Sequence, residues 1–164
     1  MRFLRYAALV ALAIWIGGMV TLGAIVAPTA FAVVEAQQVE AGRALVGFLF
    51  GAFLDRFHDV AYVAGGVVLA SLIGRRLIGP RPVYFGVRVA LAAAMLAVVL
   101  YSGLVLTGQV ERIQAEVGVP SLTLPDDHPT RARFNSLHRL SVVLMGFNVL
   151  GGLALLGWEA GEQG

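Results

Sequence analysis

The sequence predicts an all-α fold, a bundle of four transmembrane helices, from three properties of the chain. Hydrophobic residues make up 59% of the 164 residues and charged residues only 13%, whereas a soluble domain carries about 25% charged residues. The mean hydropathy is +0.83. Apolar stretches that approach or exceed the roughly 20 residues needed to cross a bilayer recur four times along the chain. We therefore expect one membrane domain over residues 1–164.

Charged segments, helix breakers and a proline-rich stretch separate the four predicted spans. The second apolar stretch is interrupted by the charged residues 55–59, so residues 41–54 are expected to lie partly at the membrane interface. The third helix is expected to continue into water over residues 109–113. Three prolines farther along predict a loop, so the polar extracytoplasmic segment is expected at about residues 109–133. The predicted spans are residues 6–34, 57–74, 83–106 and 134–158.

The distribution of arginine predicts that both termini are cytoplasmic. Arg2 and Arg5 fall on the same side of a four-span arrangement as the group Arg75, Arg76 and Arg81, and the positive-inside rule assigns that side to the cytoplasm. A cleaved signal peptide is the alternative for the first span, but its apolar run is longer than the about 7–15 residues of a signal h-region. The expected location is the inner membrane of a bacterium.

Two histidines are predicted to lie at a similar depth, near the membrane surface opposite the termini. With a rise of about 1.5 Å per residue, His58 lies about 26 Å from Arg75, and His138 lies about 30 Å from Trp158. Ionisable residues inside spans are costly and usually face a partner or a cavity. His58 and His138 are therefore the main candidates for a ligand site.

The histidines have two interpretations. In the functional one, His58 and His138 ligate haem b or copper, with Asp59 orienting one ring and Tyr101 nearby. In the structural one, His58 pairs with Asp55 or Asp59, and His138 caps loop carbonyls. No short metal-binding motif decides between them.

A polar face on the second span supports transport as another alternative. Asp55, His58, Asp59 and Tyr62 are spaced so that they share one side of a helix. Arg56 is predicted to pair with the neighbouring carboxylates, and intramembrane charges often form the gate of a pathway. A transporter of four helices would need to oligomerise, and broken mid-membrane helices would support it.

Small and polar residues in the middle of the spans predict close helix packing. Asn148 is expected to make an interhelical hydrogen bond, and Trp15 is expected to have a structural role. Arg88, inside the third span, either snorkels to the surface or faces the bundle. Three glycine pairs are expected to let helix backbones approach closely: Gly17–Gly18, Gly65–Gly66 and Gly151–Gly152.

Residue patterns over nearly the whole chain resemble a known membrane family. They are Trp15-Ile16-Gly17-Gly18, Ala27-Pro28-x-x-Phe31, Ala41-Gly42, Phe50-x-x-Phe53, and Phe134-x-x-Leu137-His138-x-x-Ser141 with Asn148. The chain resembles the domains similar to transmembrane protein 205, a four-helix family whose biochemical role is not established. The resemblance implies the four-helix fold and importance for Trp15, Pro28, His138 and Ser141.

The opening pattern is also similar to two other membrane families. Tryptophan followed by two glycines and a later Ala-Pro looks like copper resistance D proteins and the four-helix membrane protoporphyrinogen oxidases. The oxidase pattern uses a lysine in its site, and this chain contains no lysine. That activity is therefore not carried over.

The composition narrows the classes of function. Without cysteine, the chain has no disulfide, thiolate nucleophile or thiolate metal ligand. A net charge of +2 with no basic stripe argues against nucleic-acid binding. The leading hypothesis is a non-enzymatic accessory or structural subunit in the lipid bilayer, part of a larger membrane complex or a homo-oligomer. Haem or copper binding and oligomeric transport remain the alternatives.

Overall fold

The computed structural model describes residues 2–39, 41–79, 83–117, 124–125 and 127–161. These residues contain no strand, and four helices are long and apolar enough to cross a membrane. The predicted all-α bundle of four spans is confirmed. Arg81, one of the arginines that predict the topology, and Pro120, one of the three prolines of the predicted loop, lie outside the described residues. We number the helices α1 (Arg2–Ala36), α2 (Gly42–Ile78), α3 (Phe85–Ile113, continuing to Val117) and α4 (Pro129–Gly161).

The helices extend beyond the predicted spans. Residues 42–54, expected at the membrane interface, belong to the same continuous helix as the second span. Thr107–Val117 prolongs the third helix, as expected for residues 109–113, and carries it to Val117 within the segment 109–133. The fourth helix begins with Pro129, because proline fits the first turn, where its missing N–H has no partner to lose.

Each helix packs against its two neighbours in a four-membered ring, with α4 returning to α1. Arg5 of α1 donates hydrogen bonds to the backbone at the end of α4, so both termini lie at one end of the bundle. We call this the terminal end, and the opposite one, which holds His58 and His138, the far end. Which end faces the cytoplasm stays a prediction.

The apolar core occupies the half of the bundle nearer the terminal end. Trp15 is 0% exposed and packs with side chains from α2, α3 and α4. Large apolar side chains cover the outside, among them Val63 and Leu104. Burying such side chains is not required where lipid replaces water as the solvent.

Two π-helical segments interrupt α1 and α3 where this core ends. In α1 the segment is Thr21–Val26, and the N–H of Ala27 reaches back five residues to the carbonyl of Leu22. Pro28 follows directly, and its missing N–H and bulky ring disturb the regular hydrogen bonding of the preceding turn. The sequence therefore causes the irregularity locally.

The segment in α3 is Ser102–Leu106. Both the N–H and the hydroxyl Oγ1 of Thr107 bond to the carbonyl of Ser102, the hydroxyl at 3.3 Å. The two π segments begin at similar distances from the terminal end, roughly 26–29 Å along their helices.

The far half of the bundle is more open than the terminal half. Ala27–Ala36 packs on α2, and Thr107–Val117 packs on the π segment before it and on α4. No residue of Thr21–Ala36 is buried. The polar far-end residues therefore lie where the helices stop forming a common core.

Candidate functional site

The most ordered polar cluster of the bundle lies at the terminal end. Glu159 Oε2 is 2.6 Å from Arg75 Nη1, and Glu159 Oε1 is 3.0 Å from Arg88 Nη1. All three side chains are nearly buried: Glu159 and Arg88 are each 2% exposed, and Arg75 is 10% exposed. One carboxylate thus joins α2, α3 and α4, and we call this cluster the ion triad.

Arg5 connects the remaining helix to the ion triad. Its guanidinium donates to the carbonyls of Glu159, at 2.9 Å, and Ala160, at 3.2 Å. The last carbonyls of a helix have no partner within it, and a cation there also complements the helix dipole. Arg88 donates to the Trp158 carbonyl at 3.3 Å and lies 5.9 Å from the Trp158 ring. All four helices are joined at this end.

The structure settles the position of Arg88 and adds a residue that the sequence analysis missed. Arg88 faces the bundle rather than the surface. Glu159 was overlooked, although an acidic residue in the last turn of a helix opposes the helix dipole and so indicates a basic partner. The buried ion pairs of the triad, which join three helices, indicate a structural role.

A cavity of about 440 Å³ lies between α2 and α3 at the far end. The rings of His58 and Tyr62 stack along its wall, with centroids 6.1 Å apart and an angle of 18° between planes. We call it the far-end cavity; its lining residues are Ala52, Asp55, Arg56, His58, Asp59, Tyr62, Gly103 and Leu104.

Gly103 allows α3 to approach the two rings. A Cβ at this position would overlap Tyr62 Oη and come within 3.0 Å of His58 Cγ. His58 Nδ1 is buried here, and within the described chain it has no hydrogen-bond partner. The imidazole is therefore held by packing against α3.

The predicted pairings around His58 are not seen among the described residues. Neither Asp55 nor Asp59 makes a hydrogen bond or ion pair with His58 or with Arg56 there. Asp55 and Asp59 lie close enough to His58 to act on it electrostatically, so its pairing with either carboxylate stays a prediction. Asp55, Arg56 and Asp59 line the far-end cavity and make no hydrogen bond or ion pair in the described ranges.

His138 lies in different surroundings from His58. It is exposed on α4, stacks on Phe134 with centroids 6.2 Å apart, and lines a separate cavity with Asn135 and Arg139. Tyr101 is 42% exposed. Across the described ranges, no group of three or more His, Asp or Glu side chains is placed to hold a metal ion. Ligation of haem or copper by the two histidines stays a prediction.

The residues predicted to be structural divide into core and surface positions. Trp15 is in the core, close to Gly65. Gly18 faces Phe57, whereas Gly17 is exposed and has nothing within 4 Å of where its Cβ would be. The two members of this pair therefore have different roles.

The remaining predicted residues lie on α1 and α4. Pro28 is exposed next to the π segment of α1, and Ser141 is half-buried. Asn148 is 1% exposed, but its Nδ2 donates to the Leu144 carbonyl of its own helix at 3.2 Å. The expected interhelical hydrogen bond is thus replaced by one within α4.

Comparison with known proteins identifies one family. A family model described as a domain of unknown function (DUF4149) matches residues 10–118. No curated protein and no solved structure gives a significant match. The matched residues include Arg75, Arg88 and the far-end cavity, whereas Glu159 follows the matched region. The comparisons do not show the resemblance to transmembrane protein 205 or to copper resistance D proteins.

Proposed function

This chain belongs to the DUF4149 family, whose function is unknown. We propose that it is a non-enzymatic accessory protein that packs against another membrane protein. The observation that carries the proposal is a continuous exposed face of small residues on α1. We call it the α1 face; its residues are Gly17, Thr21, Ala24, Pro28 and Ala32, all exposed.

The spacing of these residues places them on one side of the helix. Successive members are three or four positions apart, which is the repeat of a helix face. In membranes, helices associate through small residues because these allow backbones to approach closely. Larger exposed side chains border the α1 face, since Val20 and Ile25, 42% and 59% exposed, follow Gly17 and Thr21 at the same three- or four-residue spacing. The α1 face therefore suits a second helix better than it suits acyl chains.

Two further observations favour the α1 face as a contact surface. The α1 face continues into Ala27–Ala36, the last part of α1. This segment packs on α2 and contains no buried residue. A comparable small-residue face on α3, with Gly86, Ala90, Ala93 and Ala97 exposed, lies instead on the compact half of the bundle. The partner is proposed to be another membrane protein or a second copy of this chain.

The polar residues also support a non-enzymatic role. The ion triad is occupied in joining helices, and the two histidines line different cavities. Acid–base catalysis needs groups within hydrogen-bonding reach of a common substrate atom. Among the described residues, titratable side chains that could reach a common substrate atom occur in the far-end cavity, which is shallow.

The proposal is tested by the double variant Ala24→Leu with Ala32→Leu. Leucine is compatible with lipid, so the fold is kept while the α1 face becomes too bulky for close packing. In mild detergent, light scattering is expected to give a mass above one chain for the wild type and a smaller mass for the variant. The matched control is Ala154→Leu, on the exposed side of α4.

Two results would contradict the proposal. One is a wild-type protein that is a single chain both in membranes and in detergent. The other is a stoichiometric coloured cofactor or copper in the purified protein that is lost in His58→Ala or His138→Ala, which would favour the haem or copper hypothesis.

Transport by an oligomer is a second candidate, and the two π segments that bear on it lie toward the far end of the bundle. Irregular helices at similar depth are typical of proteins whose helices bend during function. Uptake or release of a solute by sealed vesicles containing the purified protein, absent in empty vesicles, would support transport over the accessory role.

A further inference from the structure

The far-end cavity contains charges of both signs that make no hydrogen bond or ion pair within the described chain. Asp55 and Asp59 are one helical turn apart on α2, and Arg56 lines the same cavity. All three side chains are exposed. A ligand with both a cationic and an anionic group would complement these charges.

The size and walls of the cavity suit a small polar group. A volume of about 440 Å³ falls in the range of about 300–1,000 Å³ that is common for ligand pockets. The stacked His58 and Tyr62 form an aromatic wall, and the two rings pack directly against Gly103 of α3. An aromatic wall beside carboxylates is a favourable environment for an ammonium group.

The cavity opens beside a lipid-facing surface. Leu104, on its rim, is 71% exposed, so an apolar chain could continue from the cavity along the outside of α3. His58 lies about 26 Å along α2 from Arg75, close to the about 30 Å thickness of the hydrocarbon core. The cavity is therefore at the level of lipid headgroups in the leaflet at the far end.

We propose that the far-end cavity binds the phosphoethanolamine headgroup of a membrane phospholipid. The ammonium lies between the carboxylates of Asp55 and Asp59 and against the ring of Tyr62, and the Arg56 guanidinium binds the phosphate. A primary ammonium donates three hydrogen bonds to carboxylates, whereas a trimethylammonium donates none. The acyl chains lie outside the bundle next to Leu104. This proposal is independent of the packing role of the α1 face.

Native mass spectrometry of the full chain in detergent, titrated with defined lipids, tests the proposal. Phosphatidylethanolamine is expected to bind at least about tenfold more tightly than phosphatidylglycerol, which corresponds to about 1.4 kcal/mol. Phosphatidylcholine is expected to be intermediate. Asp55→Asn with Asp59→Asn should remove the preference, and Arg56→Gln should weaken binding of all three lipids. Glu35→Gln, an exposed acid at the far end of α1, is the control with unchanged binding.

The outcomes separate the possible ligands. Equal binding of phosphatidylethanolamine and phosphatidylglycerol, or a preference that survives the double aspartate variant, overturns the proposal. Soluble phosphoethanolamine that displaces the lipid at equal affinity would assign the cavity to a free solute and overturn the lipid assignment. The variants change exposed side chains, and unchanged thermal midpoints in detergent establish that they are folded.

Discussion

Gly17 and Gly18 are neighbours in the sequence but face different surroundings in the bundle. A Cβ on Gly18 would overlap the ring of Phe57, whereas a Cβ on Gly17 would meet nothing within 4 Å. The same contrast separates Gly65, which faces Leu96 and Trp15, from the open Gly66. In these two pairs only one glycine meets a neighbouring helix within the bundle, whereas in the third pair both Gly151 and Gly152 do.

We predict opposite effects of alanine at the two positions of the first pair. Gly18→Ala should lower the free energy of unfolding by about 1–3 kcal/mol, because Phe57 must move out of a packed position. Gly17→Ala should leave it unchanged or raise it by up to about 1 kcal/mol, because alanine is the better helix former. Unfolding in mixed detergent micelles measures both. Equal losses in the two variants would show that the pair acts as a unit.

The sequence could predict that glycine pairs serve packing, but not which glycine does so. The spacing of residues shows which side chains share one face of a helix. It does not show which neighbouring helix that face meets, because the rotation of the helix about its axis depends on all of its contacts. For the same reason, Asn148 was predicted to bond across helices, although its amide bonds to Leu144 within α4.

At the scale of elements, the ion triad holds the helix ends of the terminal half together. Glu159→Gln should lower the free energy of unfolding by about 3–5 kcal/mol, because two buried guanidiniums lose their common carboxylate. The control is Glu111→Gln, which removes an exposed acid on α3 and should change stability by less than about 0.5 kcal/mol.

A double-mutant cycle with Arg88→Met makes the test specific. If the triad acts as described, the effects of Glu159→Gln and Arg88→Met are less than additive, since either change already breaks the same contact. Additive effects, or a Glu159→Gln variant as stable as the wild type, would contradict a stabilising triad.

The elements themselves followed from the sequence, while several of their boundaries did not. Long apolar runs predicted four helices, but the charged residues 55–59 were interpreted as an interruption where α2 continues as a helix. Pro28 lies within the first predicted span, and its effect is the π segment that precedes it. The π segment of α3 had no proline to indicate it.

For the whole molecule, the structure separates a compact half from an open half. Arg5, Arg75, Arg88 and Glu159 close the terminal end, and the apolar core lies next to them. The sequence predicted a similar depth for His58 and His138, and their joint ligation of a cofactor stays a prediction, because depth along a helix says nothing about which neighbour a side chain faces. His58 lines the far-end cavity between α2 and α3, and His138 lines a second cavity on α4.

The central claim is that this protein acts by packing against a membrane partner through the α1 face. The most direct measurement is photo-crosslinking in intact membranes from a photoreactive amino acid at position 24, compared with position 154 on α4. We predict a defined crosslinked product from position 24, of the mass of one partner or of two copies, and lipid adducts alone from position 154. Lipid adducts alone from both positions would contradict the claim.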